Sequence, residues 1–419
     1  MRAVVAGRLR CASCGTVVPV STPLSWRCPG AAVGDRRHVL TIESDDIGTD
    51  FVPDDSANPF VAFRRMLAWD AFAASTGMSD DDRRSFIERA DDLVASVAGT
   101  GFRFTPVARE ARLSHELGFS GAAGVWVKDE THNVAGSHKA RHLFTELLHL
   151  LLAESRGLAP WTASTRPELA IASCGNAAIA ASTLAAAVRW PIRVFVPESA
   201  AGVVVETLNA LDATIERCPR RDDDPPGDPC VLRFRERVAA GAVPFGVQGT
   251  ENAWCLDGGR VIGWEIVHQL GRDPLTHMMA ALVAAQTEGC APLERAWRMA
   301  ASTGGTLGAG PRWSECMWPW ESMPTSLADG ILDDETYDWV EVCDAMTKTG
   351  GFPVVSPESD VVEAYAMAHR STRIDVSPTG SAGLAGLITL RSTNRITADD
   401  RVGVVFSGVR RGVDPPRLR

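Results

Sequence analysis

Residues 128–142 read KDETHNVAGSHKARH. An apolar run, AGVWVKD (123–129), ends in the charged Lys-Asp-Glu cluster, and a Gly-Ser pair then precedes Lys139. The segment 137–154 that follows is apolar at helical spacing. On its neighbours alone Lys139 is as readily a solvated cation as a nucleophile. The surrounding pattern is more decisive. ELAIASC (168–174), IRVFVPE (192–198), AVPFGVQ (242–248) and RVGVVFSG (401–408) read as short buried strands, while 175–189, 199–212 and 256–270 read as helices. Strands alternating with helices of this length predict an α/β protein with a largely parallel sheet.

The bulk properties bound the function. The chain has 419 residues, 45% hydrophobic and 22% charged, enough for two or three lobes with a cleft between them. A net charge of −10 without a basic block argues against a nucleic-acid partner. The longest apolar stretch, AAIAASTLAAAV (177–188), is too short to span a membrane, and the N-terminus lacks a signal-peptide pattern. Ten cysteines in such a chain suggest reduced thiols, a cytoplasmic location and a metal site.

The thiols concentrate at the start. CASCGTVVPVSTPLSWRCPGAAVGDRRHVL (11–40) carries Cys11, Cys14, Cys28 and His38 in a C-x2-C-x13-C-x9-H spacing. Two thiols two residues apart clasp one ion from a tight turn, and a third thiol with an imidazole completes a tetrahedral structural zinc shell. Three reduced thiols in a small hairpin remain the alternative. Residues 1–45 are therefore expected to form a Cys-rich, zinc-ribbon-like head. An acidic, Pro-containing linker (43–59) follows it, then two helices, the second capped by Ser79 with Asp82.

Three further segments bear on Lys139. IASCGNAAIAAS (171–182) is a strand running through Ser-Cys-Gly-Asn into a helix, a turn that exposes backbone N–H groups to an anion such as a carboxylate. AAQTEGCAPLERAW (284–297) ends a strand in Glu288-Gly289, and SPTGSAGLAGL (377–387) is a hydroxyl-rich turn before a small-residue helix. Each alone is ordinary αβ-loop chemistry.

Together and in this order, with TPVARE (105–110) and SLADGILDDETYDW (326–339), they resemble the tryptophan-synthase-β-like, fold type II family of pyridoxal-phosphate (PLP) enzymes. The resemblance is greatest to the threonine synthase branch and covers most of residues 55–410. It implies a two-lobed body over 46–419, with the smaller lobe at roughly 145–250. It implies that Lys139 forms the internal aldimine with PLP and then moves protons at Cα, chemistry that needs an unprotonated amine. By the same resemblance Asn176 faces the PLP 3′-oxygen, Thr379 the pyridine nitrogen, and Glu288 lies in the cleft. Ser173, Cys174, Gly175 and Ala177 would hold the substrate carboxylate, and Arg141 with Lys128 would meet a substrate phosphate. The implied activity is a lyase reaction on a small amino acid, conversion of O-phosphohomoserine to threonine and phosphate. A serine/threonine dehydratase and a non-catalytic relative are the alternatives. Homodimers are common among such enzymes.

Two departures stand out. His138 replaces the aromatic residue usual before the lysine. The family's Gly-rich phosphate loop is expected between the helix ending near residue 270 and QTEGC, yet GRDPLTHMMAALVAA (271–285) holds the single glycine Gly271. A strand, the loop and a helix are missing from that interval, as in a degenerate family member or an internally shortened form. GGTLGAG (304–310) follows a helix and reads as a surface turn rather than a relocated loop.

Overall fold

The computed structural model describes residues 6–32, 34–44, 52–271 and 281–412. The head is a three-stranded antiparallel sheet in the order β2-β1-β3, made of β1 (Ala6–Cys11), β2 (Val17–Pro19) and β3 (Leu40–Ser44). Part of the expected linker, 45–51, lies outside the described residues. The head has no separate core. Leu9, Val18 and Leu40 belong to the same apolar cluster as Phe60, Phe72 and Phe144, and Val39 packs with Leu293, Trp313 and Trp339 on another part of the body.

The body is α/β. The strand β4 (Val107–Arg109) runs antiparallel to β5 (Gly124–Asp129). Next come β6 (Leu169–Ala172), β7 (Ile192–Val196), β8 (Thr214–Arg217) and β9 (Val243–Pro244), a parallel sheet in the order β8-β7-β6-β9. All four residues of β6 are buried, as a parallel strand covered on both faces requires. The expected strand over 242–248 keeps only its first part, because the chain turns away after Pro244. The helices at Lys139–Ser155, Asn176–Ala187, Gly202–Ala210 and Cys255–Leu270 fall where the periodicity places them. Ser79 caps Asp80–Ala98, accepting from the Asp82 N–H at 3.2 Å.

The remaining strands are β10 (Val283–Thr287), β11 (Phe352–Ser356) and β12 (Arg401–Phe406). β10 pairs in parallel with β11, and β12 in parallel with β5. Among the described residues these two groups do not join into one sheet. The helix Ala382–Ser392 nevertheless lies over both. A Cβ on Gly386 would sit 2.8 Å from Ala285 and 3.1 Å from Val354, and one on Gly383 would sit 3.9 Å from the Val405 carbonyl.

Candidate active site

A cavity of about 1590 Å³ opens at the ends of β5, β6 and β12. Lys139 lines it at the first position of its helix. The preceding turn explains this placement. Ala135 and Gly136 both adopt positive φ (54° and 71°), and a Cβ on Gly136 would overlap Val409. The Gly136 carbonyl accepts the Val409 N–H at 2.8 Å, which ties the turn to the exit of β12. The Gly-Ser pair thus lets the backbone pass close beside β12 and deliver Lys139 into the cavity.

Facing it are Ser173, Cys174, Gly175, Asn176 and Ala177, all in the cavity wall. Gly175 is the N-cap of Asn176–Ala187 and supplies no side-chain cap, so the first N–H groups of a twelve-residue helix are open to an anion. Arg411 donates through Nη1 to Asn176 Oδ1 and through Nη2 to the Ala135 carbonyl at 2.5 Å. Those bonds orient the Asn176 amide and span the gap between the Lys139 turn and the Asn176 loop. Gly408, at φ 104°, lets the backbone approach the amide, since a Cβ there would lie 2.5 Å from Nδ2. No carboxylate pairs with Arg411 among the described residues.

Thr379 also lines the cavity, but its hydroxyl is engaged. It accepts the Gly330 N–H at 3.0 Å and donates to Asp329 Oδ1 at 3.1 Å. Serving a pyridine nitrogen requires exchange of that last partner. Beside Lys139, the half-buried His138 ring bonds to Ser407 Oγ, which also accepts the His138 N–H at 3.1 Å. Burial, followed by the neighbouring Lys139 charge, holds His138 well below its ordinary pKa, so the ring is neutral at neutral pH. Asp228, Asp329 and Asp333 line the same cavity, as do Arg395, Arg410 and Arg411.

Three residues expected at the site, Arg141, Lys128 and Glu288, are engaged elsewhere. Arg141 is wholly buried and outside the cavity wall, bonded to Glu130 Oε2 at 2.8 Å and Glu265 Oε1 at 2.5 Å. Lys128 reaches the wall, but its ammonium donates to Glu265 Oε2 at 2.6 Å and the Thr105 carbonyl at 2.7 Å. The KDE cluster and Arg141 thus build an internal, charge-balanced network rather than a phosphate pocket. The periodicity could not reveal this, because Glu265 is supplied from another helix. Glu288 is exposed outside the cavity wall, and its Oε1 accepts the Glu358 N–H at 2.9 Å, capping Glu358–Ser371. A carboxylate at a helix N-terminus explains the residue without a cleft role. His138, Ser407 and Arg411 were not singled out as site residues. The strand end VVFSG could have pointed to Ser407; no sequence signal points to Arg411.

GGTLGAG is a surface turn away from the cavity. The Gly308 N–H donates to Asp344 at 2.8 Å, and Gly310 packs on the head with no room for a Cβ against Ala12. Of the interval expected to hold a phosphate loop, 272–280 lies outside the described residues. Among the described residues no Gly-rich strand-to-helix turn lines the cavity. The geometry therefore fits the aldehyde and ring of PLP, through Lys139 and Asn176, and among the described residues offers no Gly-rich backbone cradle for its phosphate.

In the head, the ligand atoms of Cys11, Cys14, Cys28 and His38 lie within 4.8 Å of one another. Cys11 Sγ is 3.3 Å from His38 Nδ1, and Cys14 Sγ is 3.6 Å from Cys28 Sγ. Burial pushes the Cys11 thiol up to about 12, a cost that a bound divalent cation would reverse.

Parallel α/β sheets with a lysine lining one cavity fit a fold type II PLP-enzyme architecture. The family model "Pyridoxal-phosphate dependent enzyme" matches residues 99–408, and the chain belongs to that family. Similar solved structures include maize serine racemase (16% identity, covering 78% of this chain and 94% of that one, TM-score 0.56). Threonine deaminase isoform 2 from Solanum lycopersicum is similar over 80% and 92% of the two chains (14% identity, TM-score 0.56). Diaminopropionate ammonia lyase from Escherichia coli matches over 78% and 89% (14% identity, TM-score 0.56). At these identities the likeness is one of fold. Comparison with curated proteins found no match. No helix among the described residues is long and apolar enough to cross a membrane.

Proposed function

We propose that the chain is a PLP-dependent lyase that eliminates the β-substituent of a small hydroxy-amino acid, as a serine/threonine dehydratase does. The observation that carries this reading is Lys139 in one cavity with Asn176, while Arg141 and Lys128, the two cations expected to meet a substrate phosphate, are sequestered. In support, two proteins of similar fold are named as a deaminase and an ammonia lyase.

The chemistry that PLP supplies when bound is an electron sink for charge at Cα. The chain's own residues do the rest. The open N–H groups at the start of Asn176–Ala187, with Arg411 behind Asn176, hold the substrate carboxylate. The Lys139 amine stands at the helix N-terminus as the group that takes the Cα proton.

Threonine synthase activity is the second reading, favoured by the motif set from TPVARE to SPTGSAGLAG. Assays with threonine and with O-phosphohomoserine separate the two. The dehydratase reading expects 2-oxobutanoate from threonine; phosphate release from O-phosphohomoserine with no 2-oxobutanoate would replace it with the synthase. Neither product, with no cofactor band at saturating PLP, would leave a non-catalytic relative.

We further infer that Cys11, Cys14, Cys28 and His38 hold one structural zinc, because four ligands leave no open coordination position. Cys11→Ser is expected to lower the zinc content of the purified protein well below one equivalent and to reduce thermal stability. Full zinc occupancy in that variant, measured by atomic emission, would rule out the assignment.

A further inference from the structure

An asparagine side chain can show a cavity either of two opposite faces, an oxygen that accepts or an NH2 group that donates. The residue type does not decide which of them Asn176 presents. Arg411 does. A guanidinium carries five N–H donors and no acceptor, so the Asn176 atom that meets Arg411 Nη1 is the oxygen. The amide nitrogen is thereby turned to the other side, close to Gly408, on a side chain that lines the cavity. Among the described residues this nitrogen has no acceptor.

Arg411 is itself held in place. Its Nη2 donates to the Ala135 carbonyl at 2.5 Å, and a Cβ on Gly136 would lie 3.0 Å from the same nitrogen. The guanidinium is thus wedged against the turn that presents Lys139, and it cannot swing away from Asn176 without losing that bond. Burial alone pulls it below its ordinary range, yet an arginine keeps its charge at neutral pH. A positive charge bonded to the amide oxygen polarises the amide and strengthens its N–H groups as donors. The occupant that such an amide selects is an acceptor, best an oxygen bearing negative charge. A donor placed there would meet another donor.

We propose that Arg411 is a positioning residue: by fixing the orientation of the Asn176 amide it commits that side chain to donate to an anionic oxygen in the cavity, in the PLP reading the 3′-oxygen of the cofactor. The proposal rests on the PLP reading and adds to it a residue outside every motif of the sequence.

The test is the pH titration of bound PLP, followed by its visible absorbance, in wild type, Arg411→Met, Asn176→Ala and the double variant. A donor at the 3′-oxygen favours the deprotonated form of the bound chromophore, so losing it raises the midpoint. Arg411→Met is expected to raise the midpoint by about one unit, tenfold in proton affinity, and Asn176→Ala by at least as much. In the double variant Arg411→Met should add little, because a residue that acts through Asn176 has nothing to act on once the amide is gone. The other titratable groups of the cavity wall, among them Lys139, His138, Asp228, Asp329 and Asp333, are the same in every variant. A normal wild-type band with an unmoved midpoint in Arg411→Met overturns this proposal and leaves the PLP reading standing. An equal shift with and without Asn176 also overturns it, since Arg411 would then act by its charge or through the Lys139 turn. Arg411→Lys guards against a folding defect in the methionine variant. It keeps a donor-only cation and should hold the wild-type midpoint; a shift of about one unit there would overturn the proposal as well. A wild-type chain with no PLP band removes the PLP reading and this proposal together.

Discussion

Lys139→Ala is expected to abolish covalent capture of PLP. Borohydride treatment of the wild-type protein after incubation with PLP should fix one pyridoxyl group on the peptide containing residue 139, and the variant should carry none there. The reason is geometric. Lys139 lines the cavity that also holds Asn176 and Thr379, and the strained Ala135-Gly136 turn exists to place it there. Turnover should fall by several orders of magnitude, because the same amine is the proposed nucleophile and proton carrier. The fold should survive, since the side chain is only partly buried and has no recorded ion pair among the described residues. Equal labelling of wild type and variant by peptide mass analysis would refute the assignment. An unlabelled wild type would instead mean that the chain does not retain the cofactor.

Glu265→Gln is expected to produce the largest loss of stability. Glu265 bonds Arg141 at 2.5 Å and Lys128 at 2.6 Å, and all three side chains are at most 1% exposed. The Arg141 guanidinium keeps its charge in spite of burial because Glu130 and Glu265 flank it. Burial pulls the Lys128 ammonium below its ordinary range, with Glu265 opposing the shift. Removing one carboxylate leaves two buried cations facing Glu130 alone, a change that costs about 3–5 kcal/mol in comparable buried pairs. Thermal melting should drop markedly, and Lys128→Met added to Glu265→Gln should recover part of the loss, because the second change removes the uncompensated charge. A single variant that melts with the wild type would contradict the network's structural role.

The same network marks where sequence reading succeeds and where it stops. Lys139 was expected at the site because its Gly-Ser turn, the SCGN turn and the SPTG turn follow in one order along the chain, and all three line one cavity. The helix starts were legible for local reasons too, as at Ser79, where a hydroxyl and a carboxylate three residues apart cap the N-terminus. Arg141 was misread because it lies two residues beyond Lys139, and nearness in sequence was taken as nearness to substrate. On a helix, neighbours two positions apart point to different faces. Lys139 turns to the cavity, and Arg141 turns inward to Glu130 and Glu265. Glu288 was misread for a similar reason: a strand end often meets a ligand, but this one meets the N-terminus of the next helix.

By itself the sequence determined the α/β class, the family-typical order of motifs, the Schiff-base lysine as a candidate and the clustering potential of Cys11, Cys14, Cys28 and His38. These are properties of local pattern, set by strand and helix periodicities and by which residues a turn tolerates. The tertiary structure decided which charges face one another, that Arg411 reaches Asn176, and that His138 joins Ser407. Those contacts join residues far apart in the chain, and their energies depend on burial and on partners that spacing along a sequence does not encode.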